Sequence, residues 1–236
     1  MGRELSGRPL WALIFVFLAA QTWFASEFRG LRMAIEEIPP PPTARALEAM
    51  ALGDEEFLFR YLGRWIEFVG DGGGRLRALR FYDYDRVVNW MEALDRLDAD
   101  RSDLVHMAAA HYFGAITTAV DPQHSKLRKI VDYLRAVGTR DPARFWPWLV
   151  WDSDKARWPI GDSALIVEIA RDLQSPKLKD PRVPAWVRVL PAHLFHVAGD
   201  DNAARDAQAH IAPEDLAEVA EMHRRLNEGV AKSMRK

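Results

Sequence analysis

From Asp54 onward almost every segment of this 236-residue chain carries apolar residues at helical spacing, and no stretch shows the strict alternation of a strand. In "DEEFLFRYLGRWIEFV" the residues Phe57, Leu58, Tyr61, Leu62, Trp65, Ile66 and Val69 recur one turn apart along a single stripe. The same period predicts helices around 87–94, 104–113, 127–134, 143–156, 163–173, 184–198, 201–211 and 213–232. Pro184 and Pro213 suit first-turn positions, where a missing N–H costs nothing. The expected fold class is therefore all-α. Punctuation suggests how the helices are grouped. Asp98, Asp141 and Asp180 lie 43 and 39 residues apart; each precedes an apolar helix, then a glycine at 114, 161 or 199, then a second helix. Helix pairs repeated at that interval bury their apolar faces on one another in an array.

The last unit, "VPAWVRVLPAHLFHVAGDDNAARDAQAHI", resembles a tetratricopeptide repeat. An aromatic and leucines stand on its first helix, Gly199 and an acidic turn follow, and Ala203, Ala204 and Ala207 line the second. The resemblance runs from about Asp98 to Ala212, in units longer than that family's ~34 residues. It implies an α-solenoid of helix pairs over 44–236 that binds other proteins through an extended surface.

The N-terminus bears on location. Pro9 to Ser26, "PLWALIFVFLAAQTWFAS", runs 18 residues without a charge, with Trp11 and Trp23 near its ends. About 17–25 apolar residues make a membrane-spanning helix, and indoles favour its edges. Arg3 and Arg8 precede the run, so the positive-inside rule predicts a cytoplasmic stub (1–8), a transmembrane signal anchor (9–28) and a chain exported to the periplasmic side of a bacterial inner membrane. Cleavage as a signal peptide is the competing reading. It wants small residues one and three before the cut, and Ala25 has Trp23 before it while Ala20 has Leu18. Pro39 to Pro42 stiffen a stand-off linker (29–43), and Thr43 is placed to cap the first helix of the domain.

Few patterns suggest chemistry. Net charge is -2, which leaves no basic field for nucleic acid, and the absence of cysteine excludes disulfides and thiolate sites. The glycines of "FVGDGGGRLRALRFYDYD" lack the Lys-Ser/Thr pair of a phosphate loop and the preceding strand of a dinucleotide site. They are expected to form a joint between helices, with Asp83 or Asp85 capping the next helix and Tyr82 and Tyr84 packed at the junction. His193 and His196 share a helix face near Asp200 and Asp201, which leaves open an envelope hydrolase or metal-dependent enzyme. No Gly-x-Ser-x-Gly elbow or HExxH motif accompanies them. "RFWPWLVWDSDKARW" concentrates Trp146, Trp148, Trp151 and Trp158. These either fill gaps between helices or anchor a partner, with Arg144, Asp152, Asp154 and Arg157 as a polar rim. The expectation is a non-catalytic scaffold, accessory subunit or assembly factor of an envelope complex, partnered by a membrane and by other proteins and using no cofactor.

Overall fold

The computed structural model describes residues 8–27, 38–68, 78–98, 103–118 and 123–233. Among them lie eleven α-helices and no strand, so the chain is all-α as expected. It divides into two compact units, Met1–Glu36 and Glu37–Lys236.

The first unit holds helix α1, Arg8–Glu27, whose described side chains, Trp11 and 14 to 23, are all exposed. The helix coincides with the expected anchor, but the expected span is not shown. Among the described residues no helix is long and apolar enough to cross a membrane.

The second unit opens with a strap rather than a helix. Ile38 is buried, and the Pro39 carbonyl accepts a hydrogen bond from the Trp90 indole at 2.6 Å. This end of the proline segment is thus docked on the domain. Thr43 then caps α2 (Ala44–Ala51), its hydroxyl accepting from the Ala46 amide, and Asp54 caps α3 (Glu55–Phe68) by accepting from the Phe57 amide at 2.9 Å. The apolar stripe of α3 is wider than its buried face. Leu58, Leu62 and Ile66 enter the core together with Phe59, whereas Phe57 and Tyr61 face water.

The glycine run at 70–74 lies outside the described residues. Just beyond it, Tyr82 and Tyr84 are buried at the head of α4 (Tyr84–Asp98), and the Asp83 carboxylate accepts from the Asp85 amide at 2.9 Å, as a junction cap should. The tyrosines stitch this end of the domain together. Tyr84 donates to the Tyr112 carbonyl at 3.1 Å, and Tyr112 donates to the Ile66 carbonyl at 3.0 Å, so α3, α4 and α5 (Leu104–Thr117) share buried bonds.

Then follow α6 (His124–Arg140), α7 (Pro142–Lys155), α8 (Ser163–Asp172), α9 (Ala185–Val197), α10 (Asp201–Ala209) and α11 (Pro213–Ser233). Gly161 and Gly199 take left-handed backbone, φ 70° and 85°, and end a helical turn where an L side chain is strained. Gly114 does not; it lies inside α5. The grouping also departs from the expected one. The most extensive contact joins α6 to α7 across Asp141, with α9 to α10 next. Asp141 therefore sits within a tight hairpin, not between units. Gly138 makes that closeness possible: a Cβ there would stand 2.5 Å from Leu149 Cγ.

Candidate functional site

Helix α7 carries the tryptophans, and its geometry distributes them. Trp148 and Trp151, nearly one turn apart, turn toward α5. The Trp148 indole N–H donates to Asp103 at 3.3 Å, and the Trp151 ring meets Phe113 edge-on at 5.0 Å. Trp146, on another face, meets Trp186 of α9 at 5.6 Å. All three are half-buried against the core, whereas Trp158 is 77% exposed. Arg144 stacks over Phe145 at 4.7 Å, and Arg157 is exposed. The structure thus brings Trp148 and Trp151 together and leaves Trp146 and Trp158 apart from them.

Asp152 corrects the expected polar rim. It is fully buried, and neither carboxylate oxygen has a hydrogen-bond partner. Burial, reinforced by Asp132, pushes its carboxyl well above the usual range.

A second buried polar group lies between α4 and α5. His106 is fully buried, with its Nε2 3.0 Å from Asp95 and its Nδ1 3.0 Å from Asp103. Arg140 reaches the other Asp95 oxygen at 3.2 Å. The Asp103–His106 spacing of three residues is visible in the sequence; the contributions of Asp95 and Arg140 are not. With the ring closed off from solvent, the group fastens three helices and offers no substrate access.

The expected histidine site does not assemble. His193 and His196 are exposed, His196 pairs with Asp201 at 2.9 Å, and Asp200 is occupied in capping α10 through the Ala203 amide. Among the described residues no three His, Cys, Asp or Glu side chains are placed to hold a metal ion.

A concave site does form at the C-terminal end, in a cleft of about 670 Å³ between the 3₁₀ turn Pro176–Lys179, α9, α10 and the start of α11. Its walls include Leu178, Pro191 and Ile211. Arg188 and Asp215 also line it, and they hold one another. The Arg188 Nε lies 3.0 Å from both Asp215 oxygens, and Nη2 lies 2.5 Å from Oδ1. The remaining Nη1 donates to the Val183 carbonyl at 2.6 Å. Donating to the Asp215 carboxylate raises the guanidinium above its usual value. At the rim, the His210 Nδ1 is 2.7 Å from the Asp206 carbonyl. A carbonyl only accepts, so this nitrogen carries the proton. Lys179 and Glu214 line the cleft without an ion pair among the described residues. Sequence reasoning missed the cleft because its central pair is 27 residues apart and no local pattern links the two.

Comparison with known proteins found no matching family model, no matching curated protein and no matching solved structure.

Proposed function

We propose that this chain is a non-catalytic docking protein, an accessory subunit or assembly factor whose tetratricopeptide-like helical domain receives another protein in the C-terminal cleft. One observation carries the reading. The cleft's strongest charges, Arg188 and Asp215, are spent on each other and on the Val183 carbonyl. What remains is a mixed lining, with Leu178, Pro191, Ala192 and Ile211 beside Gln174, Lys179, Asp206, His210 and Glu214. Catalysis needs an acid, base or nucleophile held toward a reacting atom. Docking needs apolar contacts together with polar ones that fix the partner, and the cleft's lining offers both.

Membrane attachment through α1, with the domain on the periplasmic side, belongs to the same proposal. Its support is the exposed apolar series Trp11, Ile14, Phe15, Val16, Phe17 and Leu18, behind the basic residues Arg3 and Arg8.

The test is site-specific photo-crosslinking in native membranes, with the reactive residue in place of Ala192 or Ile211 in the cleft and of the exposed Glu92 of α4 as control. One heavier species shared by the two cleft positions and absent from the control is the expected result. Intact, membrane-recovered protein that crosslinks at none of them overturns the docking reading; protein extracted by carbonate overturns the anchor. The cleft's volume also falls in the ~300–1,000 Å³ range of small-molecule sites. A small ligand would reveal itself as a co-purifying compound with no protein adduct.

A further inference from the structure

The corner between α2 and α3 carries a second surface, built from other elements than the cleft. Leu52 is 92% exposed and adopts left-handed backbone, φ 50° and ψ 28°. That conformation at a helix C-terminus is the usual place of glycine, because an L side chain crowds its own carbonyl there. Gly53 follows in left-handed backbone as well, at φ 89°. One turn into α3, Phe57 and Tyr61 are 65% and 62% exposed, with their rings stacked at 6.3 Å and 15°. Met50 is half exposed on α2. Neither the strain at Leu52 nor the exposure of the two rings serves the domain's own core.

The charges around the corner are unbalanced. Arg60 and Arg64 are occupied by Glu56 and Glu67, each at 2.5 Å. Among the described residues Glu48, Asp54 and Glu55 have no ion pair, and Arg45 stands in the first turn of α2, away from the corner at the C-terminal end of that helix. We propose that this corner is a docking face for a basic amphipathic helix of another protein. Its apolar side chains would cover Leu52, Phe57 and Tyr61, and its lysines or arginines would meet Glu48, Asp54 and Glu55. The rim argues against two other occupants. A second copy of the chain presents the same acids to these, and an anionic bilayer repels them.

The probe is a synthetic Leu/Lys amphipathic helix of 18 residues, titrated by fluorescence anisotropy against the full-length protein in neutral detergent. Binding is expected to weaken about tenfold in Phe57→Ser/Tyr61→Ser, whose side chains lie outside the core and leave the fold intact. In Glu48→Gln/Glu55→Gln the affinity falls severalfold, and its salt dependence flattens. Leu52→Gly separates docking from packing: it binds the probe more weakly and melts no lower than the parent, since glycine relieves the left-handed strain. A Leu52→Gly protein that melts lower, or a serine variant that binds the probe unchanged, overturns the proposal. So does a parent that dimerises in sedimentation while the serine variant does not. Because the chain has no cysteine, Phe57→Cys carries a single polarity-sensitive dye. A blue shift in phosphatidylglycerol vesicles without any on adding the peptide assigns the corner to lipid and overturns it as well.

Discussion

The Asp152 carboxyl is buried on α7 with both oxygens unpartnered, and Asp132, Arg135 and Asp172 are the charges that act on it most. Burial dominates and raises its titration in the folded protein. Unfolded, the same group releases its proton near pH ~3.9. The folded state therefore holds a proton that the unfolded chain has lost, and the stability this group supplies at low pH disappears as pH rises through the raised value. Asp152→Asn removes the titration. Thermal unfolding should show the variant and parent nearly equal at pH 4, and the variant more stable by about 1–2 kcal/mol at pH 8, where the parent must bury a charge or keep a proton. A parallel pair of stability curves would contradict this account. His106 is the contrasting residue: equally buried, yet with an acid at each nitrogen.

Between elements, two contacts carry measurable consequences. The α6–α7 hairpin closes on Gly138, where an added Cβ meets Leu149 Cγ at 2.5 Å and Cδ2 at 2.6 Å. Leu149 is itself fully buried. Gly138→Ala should cost about 2–3 kcal/mol in urea unfolding with an unchanged m-value, and trimming the partner in Gly138→Ala/Leu149→Ala should recover part of it. At the other end, Arg188 latches α11 to α9 through Asp215, which is 8% exposed. Arg188→Met strands that carboxylate. The expected loss is about 2–3 kcal/mol, with faster amide hydrogen exchange over 213–225 and little change over α6 and α7. Uniform acceleration across the domain would show instead that α11 unfolds only with the whole.

At the scale of the molecule, the core residues described in the second unit run from Ile38 to Ala207. A chain shortened to residues 37–236 should keep its helical circular dichroism and melt within about 2 °C of the parent, because the described core lies inside that 200-residue unit. A lower melting temperature would mean that α1 contributes to folding. The same comparison by vesicle flotation measures what α1 adds to membrane attachment.

Helix class and position follow from information close in the chain. The stripe of Leu127, Ile130, Val131 and Leu134 is buried on α6, the Asp83 cap and buried Tyr82 and Tyr84 stand at the head of α4, and Gly161 and Gly199 supply left-handed turns, all as local pattern predicts. Local physics of periodicity, capping and backbone sterics acts over a few residues, so a sequence displays it directly. Pairing and burial are different. That Asp141 lies within a hairpin, that Phe57 and Tyr61 face water while Phe59 does not, that Asp152 is entombed and that Arg188 finds Asp215 are decided by which helix faces which. Those choices come from filling one common interior at crystal-like density, where a contact between residues far apart in the chain settles the environment of both. A linear pattern contains the faces; only the packed molecule selects which of them meet.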